Sequence, residues 1–161
     1  MDYPADSQVP RVLLVDYDGQ VRDDIQEVLS VNGISVTIAR DPYQAIEIMQ
    51  MQDRAFDLII AEWYLPIING SIFAEIVQGS NDVEALYHSS LFKKDVIYYS
   101  RFVERHGYTP FLFSSSKPLP EDVDLNGANY FSKNPCATRR PFFDEKGLYD
   151  LVRDLISREQ D

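Results

Sequence analysis

The sequence predicts an α/β fold: a doubly wound, five-stranded parallel sheet with helices on both faces. Three observations point there. Short apolar runs recur and stop on a polar side chain. Stretches with helical spacing of apolar residues alternate with those runs. The first and third runs are apolar throughout, as strands buried on both faces are. Strand–helix–strand alternation on this scale makes a parallel sheet covered by its crossover helices.

The elements follow in order. Val12 to Val15 is the first run, and it stops at Asp16. Val21, Ile25, Val28 and Leu29 then mark one face of a helix, with Gly33 placed as a C-terminal cap. Ile34 to Ala39 alternates as a second strand. Asp41-Pro42 supplies an N-cap and a proline at the first helical position, and Ala45, Ile46 and Met49 give that helix its apolar face. Leu58 to Ala61 is the third strand, ending at Glu62. Ile72 to Val77 predicts a third helix stopped near Gly79. Phe111 to Phe113 runs into Ser114, Ser115 and Ser116. Asn129 to Ser132 is a short fifth strand ending at Lys133. Leu148, Leu151, Val152, Leu155 and Ile156 define the last helix, with Asp144 as its cap. Right-handed crossovers put the C-terminal end of every strand on one edge. Asp16, Glu62, Ser115 and Lys133 are therefore expected to meet there, where open α/β sheets place their sites.

Composition bounds the rest. The 161 residues suit one domain, and 45% apolar residues suffice for a core. A net charge of −11 opposes a phosphate backbone, so direct nucleic-acid binding is not expected. The single cysteine, Cys136, forms no internal disulfide, which fits a reducing compartment. The N-terminus lacks a basic region followed by an apolar one, and no apolar run reaches the length of a membrane span. The expected setting is the cytoplasm. His88 and His106 have no metal-ligand spacing and read as solvated or packed side chains. TRRPFF, residues 138–143, reads as a loop covering the last helix.

Carboxylates at the ends of the first and third strands could hold a divalent cation, and a hydroxyl and an ammonium from the fourth and fifth could hold phosphoryl oxygens. At this point the chain resembles the receiver domain of two-component response regulators, a flavodoxin-like fold. The resemblance rests on VLLVDYDGQVR, DLIIAEWYLPIING, PFLFSSS and GANYFSK, and it spans residues 10–158, between an N-terminal segment 1–9 and a tail 159–161. Its most specific part is a strand-end acid, Pro four residues on, and Gly four residues after that.

The resemblance implies roles position by position. Glu62 stands where the family has its phosphoacceptor Asp. Asp16 fills the first place of the acidic pair that holds Mg²⁺, Tyr17 fills the second, and Asp18 follows one residue late. The backbone carbonyl of Tyr64 matches a metal ligand, so the implied metal set is Asp16, Glu62 and Tyr64. Ser115 and Lys133 match the groups that bind the phosphoryl oxygens, and Tyr130 matches the switch aromatic. Asn134 separates Lys133 from Pro135, where the family has Pro directly after the Lys.

Two departures touch the chemistry. Glu is one methylene longer than Asp, and phosphoryl transfer depends on position. Tyr17 brings no charge to a metal that leans on carboxylates. The expectation is weak Mg²⁺ binding and no normal phosphorylation. Glu62 then either pairs permanently with Lys133 in place of a phosphoryl group, or is a tolerated remnant of a lost site. Partners implied are proteins, a histidine kinase or a downstream signalling protein, and no catalytic residue is assigned. One alternative is a working, Mg²⁺-dependent receiver. Another is an enzyme or small-molecule module on the same sheet. YDGQVR, with one Gly, is no phosphate loop, and no Ser-His-Asp arrangement is visible.

Length departs in two places. The stretch between Gly70 and Pro110 is about twice the family's, with the excess at residues 79–98, read as an extra helix or a lengthened third helix that ends in a basic turn, RFVERH. Its apolar residues are expected to cover the sheet near Phe111 to Phe113. Pro118 and Pro120 leave little room for a fourth helix.

Overall fold

In the computed structural model, the described residues are 8–79, 96–120, 129–133 and 143–158. Five strands, β1 (Arg11–Val15), β2 (Ser35–Ala39), β3 (Leu58–Glu62), β4 (Phe111–Ser115) and β5 (Asn129–Ser132), form one sheet in the order β2-β1-β3-β4-β5. Every neighbouring pair is parallel. The described helices are α1 (Gly19–Val31), α2 (Pro42–Gln50), α3 (Gly70–Gln78), α4 (Val96–His106) and α5 (Glu145–Arg158).

The period of two in each strand sorts the core into two layers. Leu13, Val15, Ile59, Ala61, Phe111 and Phe113 face Ala45, Ile46 and Met49 of α2, Phe73, Ile76 and Val77 of α3, and Phe102 of α4. Val12, Leu14, Leu58, Ile60, Leu112 and Phe131 face Ile25 and Leu29 of α1 and Leu148, Val152, Leu155 and Ile156 of α5. The apolar runs are thus buried on both sides, as the sequence predicts for a parallel sheet.

Helix ends follow the local chemistry. The Asp18 carboxylate accepts from the N–H groups of Gln20 and Val21 at the start of α1. Gly33, just past its end, takes φ 81°, a left-handed conformation that costs glycine little. Asp41 accepts from the Gln44 N–H at 2.8 Å, with Pro42 opening α2. Asn69 accepts from the Ile72 N–H at 2.9 Å, and Gly79 at φ 80° closes α3.

One element differs from its sequence reading. RFVERH is the body of helix α4 and not a basic turn. Tyr99, Phe102, Val103 and His106 lie three or four residues apart and share a face. Phe102 is buried, and Tyr99 and Val103 pack against the same core. The Tyr99 hydroxyl donates to the Ile76 carbonyl at 2.8 Å. Val103 presses on Gly79, where a Cβ would lie 2.6 Å from its Cγ1. Helix α4 therefore packs on α3. Arg105 donates to the Gln52 carbonyl at 2.8 Å, which ties the same helix to the end of α2. Residues 80–95, which carry most of the expected insert, lie outside the described residues, as do 121–128, where the resemblance implies a fourth helix. The expected cover near Phe111 to Phe113 and the shortened fourth helix fall there. Among the described residues, no helix is long and apolar enough to cross a membrane.

Candidate functional site

The strand order reverses between β1 and β3, and crevices for ligands open at such a point beyond the strand ends. Asp16 follows β1, Glu62 ends β3, and Lys133 follows β5. All three belong to the parity of the α1–α5 face, so their side chains converge. Asp16 is fully buried, and Glu62 and Lys133 are nearly so. The Lys133 ammonium donates to Asp16 Oδ2 at 2.8 Å and to Glu62 Oε2 in a shorter contact.

The remaining oxygens are also taken. Asp16 Oδ1 accepts from the Asp18 N–H at 2.9 Å, and Glu62 Oε1 accepts from the Tyr64 N–H at 3.1 Å. Arg22 reaches back from the first turn of α1 to donate to the Asp16 carbonyl at 2.8 Å, which fixes the β1–α1 loop. Gly70 is needed behind Glu62: a Cβ there would stand 2.7 Å from the Glu62 carbonyl oxygen. Ile67, in the same loop, is exposed at φ 74°, a strained conformation for a β-branched residue.

Two carboxylates share one ammonium, and this sets the proton affinities. Burial pushes the Asp16 carboxyl above its ordinary value, against the pull of Lys133, and the Glu62 charge adds to the rise. Burial alone would lower the Lys133 ammonium, but the charges of Asp16 and Glu62 and their hydrogen bonds outweigh it and raise it. The two shifts share a sign for different reasons: burial raises Asp16, and the two carboxylates raise Lys133.

The other expected residues fall into place unevenly. A cavity of about 150 Å³ is lined by Asp16, Tyr17, Asp18, Val21, Glu62, Ser116 and Lys133. Tyr17 is half exposed at its mouth. Asp18 reaches the lining, but its carboxylate caps α1. Ser115 is buried on the opposite parity, and its hydroxyl accepts from the Lys117 N–H at 3.0 Å. The serine that lines the cavity is Ser116, which the sequence shows only as one of three in a row. Ser114, paired in register with Glu62, has a buried hydroxyl without a partner among the described residues. The Tyr64 hydroxyl donates to the Pro118 carbonyl at 2.8 Å, and Tyr130, half buried, donates to the Lys117 carbonyl at 3.4 Å. Two phenols thus pin the loop after β4. Pro135 and Cys136 lie outside the described residues.

The donor set does not fit a tight Mg²⁺ site. Such a site wants carboxylate oxygens free to face the ion in near-octahedral geometry. Here each oxygen of Asp16 and Glu62 holds an internal donor, Tyr17 is uncharged, and Asp18 is committed to α1. Among the described residues no three His, Cys, Asp or Glu side chains are grouped to hold a metal. Calorimetric titration with Mg²⁺ is expected to show dissociation constants of about millimolar or weaker. A saturable site at tens of micromolar would mean that Asp18 leaves its cap to serve the ion.

No protein-family model matches the chain, and no curated protein matches it. Solved structures do match. The chemotaxis response regulator CheY4 of Vibrio cholerae is 21% identical with a TM-score of 0.62, over 92% of this chain and 99% of that one. The non-phosphorylated HemR receiver domain of Leptospira biflexa is 23% identical with a TM-score of 0.60, over 92% and 94%. The receiver domain of Francisella response regulator 1452 is 21% identical with a TM-score of 0.60, over 93% and 98%. The chain has the receiver-domain fold. Glu62 stands at the tip of the third strand of this fold, with Asp16 just beyond the first.

Proposed function

We propose that this chain is an atypical receiver that acts in signal transduction through protein–protein contacts, without an aspartyl phosphate. The observation that carries the reading is the buried contact of Lys133 with Glu62 and Asp16. In this reading the ammonium, which in the family meets a transient phosphoryl group, meets a permanent carboxylate. Glu62 extends its charge one methylene further than Asp would and takes up the ammonium itself. The strand ends are then held in one arrangement, and partners read a fixed surface instead of a switched one.

The same contacts argue against a phosphoryl-accepting site. An attacking carboxylate oxygen needs freedom to take an in-line approach and a cation free to neutralise the phosphoryl charge. Both Glu62 oxygens already accept hydrogen bonds, and Lys133 is engaged twice. The cavity of about 150 Å³ is also smaller than the ~300 Å³ at which small-molecule pockets usually begin, which disfavours an enzymatic or ligand-binding reading. The partner class proposed is a signalling protein, either a histidine kinase or a downstream effector.

Incubation with acetyl phosphate and excess Mg²⁺ tests this reading. The intact mass is expected to remain that of the unmodified chain. A gain of one phosphoryl group mapped to Glu62 or Asp16 would overturn it.

A further inference from the structure

Helix α4 carries a group that the proposed function leaves unused. His106, its last residue, is 1% exposed, although it sits at a helix end beside a turn. Its ring lies 4.8 Å from the ring of Phe102, and the Met49 backbone at the end of α2 is near enough to act on its proton affinity. Its Nδ1 is buried and has no partner among the described residues. Arg105 beside it donates to the Gln52 carbonyl. The last turn of α4 is thus fastened to the end of α2 by the Arg105 guanidinium, with the buried His106 imidazole packed beside it.

We propose that His106 is a proton-operated latch: neutral, it holds the C-terminal part of α4 against the end of α2, and in mild acid its protonation releases that part while the sheet stays folded. The geometry supplies the reason. A proton on Nδ1 would create a buried N–H with no acceptor. It would also create a cation among cations. Arg105 acts on the ring from α4 and Arg11 from β1, and α2 offers the Met49 backbone. Asp57 accepts from the Arg11 backbone N–H at 2.8 Å, and no carboxylate is among the charges acting on the ring from the described residues. Thr109, packed beyond the helix end, is neutral, and its hydroxyl donates to the Phe56 carbonyl. Glu75 of α3 is only partly buried and does not act on it. Burial first, and then the two guanidiniums, hold the imidazole below its ordinary 6.5, against the pull of the Met49 backbone.

The sign follows. A histidine whose proton affinity is lowered by the closed arrangement stabilises that arrangement fully above 6.5, and loses the contribution as pH falls through and below that value. One pH unit below the open-state value, the opening equilibrium has grown by up to about tenfold. Opening should stay local. Gly107 and the exposed Tyr108 separate α4 from β4, so the last turn can detach without breaking the sheet.

Hydrogen exchange of the full chain, corrected for intrinsic rates, tests the latch. Peptides covering residues 96–108 are expected to lose protection, by up to about tenfold, between neutral pH and about one unit below 6.5. Peptides covering β1 and β3 should keep theirs over that range. His106→Gln should remove the pH dependence, because its amide is polar and of similar reach but does not titrate. Unchanged protection of 96–108 in acid, parallel loss in β1 and β3, or the same acid response in His106→Gln would each overturn the proposal. If His106→Gln does not fold, NMR titration of the imidazole in the unaltered chain decides. A midpoint below 6.5 that coincides with the exchange transition supports the latch, and one at or above 6.5 refutes it.

Discussion

Replacing Lys133 with Met is expected to destabilise the fold by about 3–5 kcal/mol, because it leaves two buried carboxylates facing each other without their shared ammonium. Chemical denaturation at neutral pH measures it. The variant should also respond to pH with a definite sign. Asp16 already sits above its ordinary 3.8 and rises further once the lysine is gone. An acid held above its unfolded value binds its proton more tightly when folded, so the variant gains stability as pH falls toward 3.8. The unaltered chain has the complementary dependence at high pH. Lys133 lies above its ordinary 10.5, so its contribution is complete below 10.5 and is lost as pH rises through the folded-state value. A variant as stable as the parent at neutral pH would mean that the trio contributes nothing.

Phe102→Ala carries the second large effect. Phe102 is 6% exposed and lies in one core layer with Phe73, Ile76, Val77 and Phe111. Truncating a buried Phe typically costs about 3–5 kcal/mol, so a fall of roughly 6–20 °C in Tm is expected for a chain of this size. Tyr108→Ser makes the contrast, since Tyr108 is 86% exposed two residues beyond the same helix. It should change stability by no more than about 0.5 kcal/mol. Helix α4 is then part of the folded core. If Phe102→Ala melts like the parent, α4 is an appendage, and its packing on α3 does not hold the domain together.

The sheet was legible because its signal is physical and local. Fully apolar runs can be buried only on both faces, and the first and third of them stopped on Asp16 and Glu62, which the structure places at the edge of the candidate site. Strand order brought Lys133 to the same edge, and a contact between Glu62 and Lys133 was one of the two alternatives their positions left open. Asp18 was harder. The same residue type at the same place serves as an N-cap or as a metal ligand, and only the Gln20 and Val21 N–H groups decide between them. Ser115 and Ser116 show a related limit: one residue of register moves a side chain to the other face of a strand.

The reading of RFVERH as a turn gave three charged residues too much weight. Tyr99, Phe102, Val103 and His106 already had the spacing of a helical face, and the charges at Arg101, Glu104 and Arg105 lie on its exposed side. His106 could be read as packed, yet sequence gives no sign that its Nδ1 lacks a partner, because that depends on where α2 ends. Likewise, the two phenols that pin the loop after β4 come from residues 64 and 130, whose hydroxyls meet carbonyls that no local pattern places near them.

A double-mutant cycle between Glu62→Gln and Lys133→Met, read as unfolding free energies at neutral pH, tests most directly whether Glu62 and Lys133 form a permanent pair. Strongly interacting neighbours couple by about 0.5–3 kcal/mol. The buried contact between these two predicts a value in the upper half of that range, with the double variant more stable than Lys133→Met alone. Additive effects, with no coupling beyond error and no recovery in the double variant, would show that Glu62 is a remnant that Lys133 does not hold.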